Sequence, residues 1–399
     1  MAARLRVCFE YDKRGSSVAE TVLLNIALVG GGIGGLTAAI ALQAQGHEVT
    51  VYEQASGYAR VGADVNLTPN TVRALDGLGP AVAQGIRAHA ARPTFRISRD
   101  WDTGLETSRL PMGDAAEQRY GAPQLTIHRA DLLGVLAAGL AGDRVRLGQR
   151  LRSLCEQGQQ VELSFEDGSI ARHDVVIGAD GIHSRVRQSL FGAEQPRFTG
   201  VVSFRSVVPT ERVRQVPEIE AFTKWWGPNP HSQIVTFPLN QGRDTFVFAT
   251  TAQDSWTEES WTREGDVHEL RSFYRDYHPD ARALLEACES VTKSALYERD
   301  PLPQWSRGRV TLLGDACHPM LPFMAQGAGM AIEDAVVLAR CLHHADDVPE
   351  ALRRYAQSRL KRTAEIQIGS RGNQWMKTQG NADWVYAYDA WQVALADLL

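Results

Sequence analysis

Six residues near the start of the chain, Gly30-Gly31-Gly32-Ile33-Gly34-Gly35, follow directly on the apolar run Leu23-Leu24-Asn25-Ile26-Ala27-Leu28-Val29. Gly30, Gly32 and Gly35 keep the G-x-G-x-x-G spacing. A helical pattern comes next, over residues 36–45, and then a strand-like run over 48–52. Glu53 closes that run, eighteen residues after Gly35. Strand, glycine turn, helix and acid-terminated strand in this order are the signature of a dinucleotide-binding βαβ unit. The first glycine permits the tight turn, the second lets the backbone approach a pyrophosphate, and the third lets helix and sheet pack closely. The helix N-terminus presents free N–H groups and a positive dipole end to the phosphates. Glu53 is placed to accept hydrogen bonds from ribose hydroxyls, and Gly34 and Gln54 belong to the same expected cofactor site. A carboxylate there repels a 2′-phosphate, so the nucleotide is FAD or NAD rather than NADP.

The remaining composition narrows the class by exclusion. A chain of 399 residues exceeds one small core and suits two intertwined domains. Net charge is only −5 and no long basic run stands out, which excludes nucleic acid as a partner. The five cysteines are scattered, with no C-x-x-C, as expected for a reducing compartment, read here as the cytoplasm, and not for a disulfide framework or a metal site. No window is long and apolar enough to span a bilayer, so no membrane partner is expected. Residues 1–20 carry seven charged side chains and no apolar core, unlike a secretory signal, and read as a frayed extension. Oligomeric state is left at monomer or homodimer.

Further along, Asn66-Leu67-Thr68-Pro69-Asn70 reads as a turn that starts a helix at Thr71, and 131–140 as another helix. Residues 151–155 and 161–165 read as paired strands, and 174–178 as a buried strand running into Ala179-Asp180-Gly181. Strand-like alternation over 201–208, 232–237 and 245–250 points to an inserted antiparallel sheet. Residues 265–288 read as helical, 309–313 as a buried strand, and 330–342, 349–370 and 383 to the end as helices.

Two more motifs align with the glycine turn. One is Asp180-Gly181-Ile182-His183-Ser184-Arg185-Val186-Arg187, a D-G-x-x-S-x-x-R pattern. The other is Gly314-Asp315-Ala316-Cys317-His318-Pro319, continuing through Pro322 to Gln326-Gly327-Ala328-Gly329. With these three motifs the chain, from about residue 22 onward, resembles the single-component FAD-dependent aromatic hydroxylases, nearest to the 6-hydroxynicotinate 3-monooxygenase and salicylate hydroxylase branches. Shared phrases outside the flavin motifs include Lys224-Trp225-Trp226, Arg299-Asp300-Pro301-Leu302-Pro303 and Trp384-Val385-Tyr386. There is no second complete G-x-G-x-x-G, as expected where NADH or NADPH visits only transiently.

The resemblance implies an α/β fold: a Rossmann-like FAD-binding domain (22–80, 125–195 and 295–345), an inserted antiparallel-sheet substrate domain (81–124 and 196–294) and a C-terminal helical region (346–399). It implies that Asp315 holds the ribityl chain, and that the turn at Gly327 and Ala328 faces the pyrimidine edge of the flavin. Arg129 reaches the flavin or its phosphates, Leu151 meets the adenosine part, and the Asp180 segment lies near the pyrophosphate. His318 is expected to be a structural residue of its turn.

The implied reaction consumes NADH or NADPH and O2 and hydroxylates a small aromatic acid, with loss of CO2 where the attacked carbon bears a carboxylate. Deprotonating a ring hydroxyl raises electron density at the attacked carbon, so a base assists. His231 is the candidate base, or else a solvent-facing sheet histidine. Asn66 stands where the branch has a histidine, and either bonds a ring substituent or the flavin or is a turn residue. Val235 replaces a tyrosine and Phe323 a histidine, and with Pro322 they are expected on the substrate pocket. Gly62-Ala63-Asp64-Val65 replaces the usual G-A-G-I. Two alternatives stay open: a flavin dehydrogenase or reductase without oxygen insertion, and a non-catalytic FAD-binding regulator.

Overall fold

Asn25–Val29 is buried along nearly its whole length, which is what a central parallel strand covered on both faces requires. The computed structural model describes residues 23–58, 64–256, 263–343, 345–377 and 380–397. The expected N-terminal extension, and Gly62 and Ala63 of the phrase before Val65, lie outside the described residues. Asn25–Val29 pairs in parallel with Glu48–Tyr52 on one side and Val175–Gly178 on the other. Val310–Leu312 and Val145–Arg146 extend the sheet in parallel, and Ser306–Arg307 closes one edge antiparallel. The helices Ile33–Ala44 and Gly327–Leu342 pack against each other within the main core. The pair Leu151–Gln157 and Gln160–Phe165 gains a third strand, Ile170–His173, as a small antiparallel sheet.

The second large sheet has eight strands. Arg197–Pro209, Asp244–Ala252, Gln233–Leu239 and Phe222–Trp226 form its centre, and Val291–Glu298 and Phe95–Asp100 flank them. All pairs are antiparallel except Phe222–Trp226 with Phe95–Asp100, which is parallel. Helices Val267–Phe273 and Pro279–Glu286 back one face, sharing a core with Trp225, Ile234, Val247 and Phe204. The opposite face, called the front face below, carries Lys224, Val235, Phe237 and Phe248, because side chains alternate along each strand.

Three local expectations are corrected. The 265–288 segment is two helices, since Pro279 cannot continue a helix and pushes His278 out of the helical region. Asn66 lies in a short strand, Val65–Leu67, paired with Leu125–Ile127, and not in a turn. Among the described residues from Asp383 onward only one helical turn forms, Asp383–Tyr386. Arginines from elsewhere take the carbonyls a helix would have used: Arg73 donates to Ala387 and Tyr388, Arg340 to Ala390 and Arg354 to Ala396. No helix among the described residues is long and apolar enough to cross a membrane.

Candidate active site

The glycine turn separates what the chain needs for itself from what it leaves open. Gly30 has φ +109°, and a Cβ there would stand 2.3 Å from the Ala179 carbonyl oxygen. A Cβ on Gly35 would lie 2.0 Å from the Gly30 oxygen, and one on Gly34 2.5 Å from Leu313. These three glycines are demanded by packing. Gly32 differs: its φ is an ordinary −76°, and a Cβ would meet nothing within 4 Å. Its open side is a cleft. No side chain caps Gly32, no acid stands in the first turn of Ile33–Ala44, and the first helical bond is Leu36 N–H to Gly32 C=O. The first-turn N–H groups are therefore left for an anion in the cleft. The start of Gly327–Leu342 repeats this arrangement, with no side-chain cap from Gln326 and no acid in its first turn.

The cleft measures about 630 Å³. Gly30, Gly32, Gly34, Glu53, Gln54, Arg129, Leu151, Asp180, Asp315, Gly327 and Ala328 all line it; of the expected cofactor residues only Gly35 does not, being buried against Gly30. These residues come from seven separate stretches of chain, and those at Gly30, Glu53, Asp180 and Asp315 are brought together by the parallel order of the first sheet. An open cradle, two uncapped helix starts and an acid at the end of the second strand fit a dinucleotide such as FAD. Tyr52, Asp64, Val65, Gln149, Arg150, His183 and Arg185 also line the cleft. His183 and Arg185 belong to the Asp180 segment expected near the pyrophosphate and Asp64 departs from the glycine of the resembling branch, whereas Tyr52, Val65, Gln149 and Arg150 were missed as contacts.

Several expected contacts first serve the chain itself. Glu53 accepts from Gly31 N–H at 2.7 Å, which fastens the glycine turn, and with its other oxygen from Ala55 N–H at 2.8 Å. Asp180 accepts from Ser184 Oγ at 2.5 Å and from Arg185 N–H at 2.7 Å, and Ser184 accepts from Arg187 N–H at 2.8 Å. These bonds cap the helix Arg185–Phe191. Burial raises the Asp180 carboxyl, and these hydrogen bonds pull it back. Buried Arg187 donates to the Cys317 carbonyl at 3.3 Å and to Glu194 at 2.6 Å, tying the second motif to the third.

The turn that presents Asp315 is held from beneath by buried charge. Asp334 Oδ2 lies 2.5 Å from His318 Nε2 and accepts from Gly314 N–H at 3.2 Å, while Oδ1 accepts from Arg359 Nε at 2.7 Å. Arg359 also pairs with Glu333 at 2.8 Å, and Glu333 accepts from Arg362 and from Asn70. Burial alone would raise both acids. His318 and Arg359 at Asp334, and Arg362 and Arg359 at Glu333, outweigh it and hold both below the usual carboxylate range. Cys317, His318 and Asp334 bring ligand-type atoms within 4.8 Å of one another. Both Asp334 oxygens are already engaged, so the group reads as a clamp. Asp315 itself projects into the cleft; the surrounding protein raises its carboxyl, and His318 and Arg129 draw it back down.

The expected substrate residues occupy a second region, none of them on the 630 Å³ cleft. Asn66 is buried beside cleft-lining Val65; its Oδ1 accepts from Gln124 at 2.8 Å and its Nδ2 has no partner among the described residues. Val235 is packed among Phe222, Phe237, Phe246 and Phe248 on the front face. Phe323 joins Leu321, Val201 and Leu296, and Pro322 beside it is exposed. Phe323 sits in the short turn Pro322–Met324, just before Gly327, which links this region to the cleft. Arg205 lies on the same face: its guanidinium is 5.4 Å over the Phe248 ring and donates to Ser294. Burial pushes the Asp64 carboxyl up to about 6, against the pull of Arg205. His231 is corrected most. It lies in the exposed turn between Phe222–Trp226 and Gln233–Leu239, not on a strand of the front face. Its N–H donates to Asn229 and its carbonyl accepts from Thr250.

The profile of the FAD binding domain family matches residues 24–367. Two proteins named 6-hydroxynicotinate 3-monooxygenase, from Bordetella bronchiseptica and Pseudomonas fluorescens, are each 38% identical, over 93% of this chain and 97% of their own length. A solved salicylate hydroxylase substrate complex superposes with a TM-score of 0.79 at 26% identity, covering 92% of this chain and 96% of that one.

Proposed function

The chain belongs to the FAD binding domain family and is an FAD-dependent aromatic-ring monooxygenase; from that premise we propose that its substrate is a small hydroxylated benzoate or pyridine carboxylate, with NADH or NADPH as reductant and O2 as oxygen source. The observation that carries this reading is the continuity of two surfaces. Gly327 and Ala328 line the nucleotide cleft, and three residues before Gly327 the turn Pro322–Met324 lays Phe323 against the front face. The relatives 6-hydroxynicotinate 3-monooxygenase and salicylate hydroxylase act on hydroxylated ring acids, as their names state.

FAD, when bound, supplies the redox chemistry that activates oxygen. This chain's residues do the rest. Gly30, Gly32, Gly34 and the first turn of Ile33–Ala44 take the pyrophosphate, Glu53 and Gln54 the ribose, Leu151 the adenosine side, and Arg129, Asp180 and Asp315 the linker and phosphates. The N–H groups at Gly327 and Ala328 stabilise negative charge at the far end. Phe323, Leu321, Val235 and the aromatic cluster around it keep water from the reacting oxygen. Asp64, whose carboxyl burial pushes up to about 6, stands in the cleft wall as a candidate proton-transfer group.

The test is a screen of hydroxylated benzoates and pyridine carboxylates for stimulated NADH and NADPH oxidation by the purified holoenzyme, with oxygen uptake and product mass recorded. The expected product carries one added oxygen atom, with or without loss of CO2. Substrate-stimulated turnover without oxygen in the product would make the protein a dehydrogenase. Tight FAD without any stimulated oxidation would make it a binding protein.

A further inference from the structure

The front face holds two buried cations without an anion. Arg96, Phe222, Lys224, Val235 and Phe248 share that face by strand register. Lys224 is 3% exposed and Arg96 4%. Lys224 Nζ donates to Asn373 Oδ1 at 2.6 Å, and stands 3.6 Å from the centre of the Trp226 ring and 5.8 Å from that of Phe323. Arg96 donates to the Tyr386 hydroxyl at 3.2 Å and lies 5.0 Å over Phe222. Among the described residues no carboxylate bonds to either. Burial, followed by the positive charges of Arg96 and Lys377, drives the Lys224 ammonium well below its ordinary value.

A buried ammonium with one amide oxygen and two aromatic faces is an expensive arrangement unless an anion completes it. Trp226 Nε1 and Gln233 Oε1, opposite each other across two strands, are also buried without partners. Polar capacity therefore converges on one spot that the chain does not saturate. That spot faces Phe323, in the turn leading to cleft-lining Gly327.

We propose that Lys224 binds the carboxylate of the ring substrate, supported by the field of Arg96, and so orients the ring with its acid group toward Trp226 and its reacting edge toward Gly327 and Ala328. This rests on the ring-acid reading above and deepens it by naming the residue that recognises the acid. The side chains of Val235 and Phe323 on the same face carry no polar atom that could bind the acid.

The test reads binding apart from turnover. FAD-loaded wild type, Lys224→Met and Lys224→Arg are titrated with benzoate and nicotinate, each against its carboxamide, following perturbation of the flavin absorbance. Wild type binds the acids more tightly than the amides. Lys224→Met weakens the acids roughly 30-fold or more, the range for losing one partner of a buried charge pair, and leaves the amides within about threefold. Lys224→Arg restores most of the preference. Flavin content stays the same in all three. An equal loss for acids and amides in Lys224→Met, with no recovery in Lys224→Arg, makes Lys224 a clamp on Asn373 and overturns the proposal. So does a wild type with no preference for acids. If the acid preference depends on Lys224 but no ring acid is hydroxylated, the monooxygenase assignment fails and the Lys224 site stands.

Discussion

The nucleotide cleft and the front face of the antiparallel sheet solve the same problem, holding an anionic ligand, with opposite materials. The cleft does it with backbone. Its donors are N–H groups at two helix starts, its space comes from a missing Cβ at Gly32, and its acids are mostly committed to fastening the turns. The front face does it with side chains: Lys224 and Arg96 bring basic groups into a wall of aromatic rings. Backbone donors need only a local turn, so the motif that makes them is contiguous. Charged side chains need neighbours from distant strands to hold them, and here Lys224 depends on Asn373 from another part of the chain.

The sharpest way to break this comparison is at the glycines. Gly32→Val puts atoms only into the cleft, so the fold should persist and FAD affinity should fall by more than about 100-fold, through loss of phosphate contact with the helix N-terminus. Gly35→Val drives its Cβ into the Gly30 carbonyl and should prevent folding, well beyond the roughly 1–3 kcal/mol of ordinary overpacking. Flavin content and thermal melting of the two variants give the readings. A Gly32→Val protein that stays fully yellow would show that the open side of Gly32 is not where the phosphates lie.

Next in size is the clamp under Asp315. Arg359→Met leaves Glu333 and Asp334 buried with a cation removed, at a cost of about 3–5 kcal/mol in unfolding free energy. Because Asp334 holds both His318 and Gly314 N–H, flavin retention should fall along with stability. Urea unfolding, followed alongside flavin fluorescence, measures both. A stability loss under about 1 kcal/mol would mean that Arg362 alone suffices to neutralise the pair.

Legibility in the sequence followed this same division. The glycine turn, the Asp180 segment and the Gly314-Asp315 turn each lie within a few residues, and eleven of the expected cofactor residues line one cleft. Gln149 and Arg150 escaped notice because they reach the cleft only through the position of the strand that follows them. On the front face, Lys224 stood in a shared phrase but its burial is set by Asn373 and by register with Phe95–Asp100. Asn66 read as a turn because Pro69 and Asn70 follow closely, whereas its strand partner, Leu125–Ile127, is remote in sequence. The arginines that unwind the C-terminus are equally remote. Periodicity cannot register contacts of this kind.

Asp64 joins the two regions, and its titration sharpens the contrast at a smaller scale. Its folded value, about 6, lies above the ordinary 3.8. The protonated form is thus favoured in the folded state, and the stability Asp64 contributes is full below about 3.8 and lost as pH rises through about 6. Asp64→Asn carries no such loss. Relative to wild type it should gain roughly 1–2 kcal/mol between pH 4 and pH 7, the full shift being discounted for partial contact with solvent. Denaturant melts of both proteins at the two pH values give the difference; a gap that does not change with pH would place Asp64 in water rather than in the wall.

The smallest effect is expected at His231. Its ring is exposed, and the turn around it is held by main-chain bonds to Asn229 and Thr250 that a new side chain leaves in place. Exposed substitutions of this kind stay within about 0.5 kcal/mol. A general base touching the substrate would instead supply roughly 10²–10⁴-fold in rate. His231→Gln should therefore keep kcat/KM within about threefold, with an unshifted pH profile. A loss of a hundredfold, with the acidic limb of the profile gone, would mean that the turn folds in over the ring when substrate binds, and the base would have to be sought on the turn and not on the cleft wall.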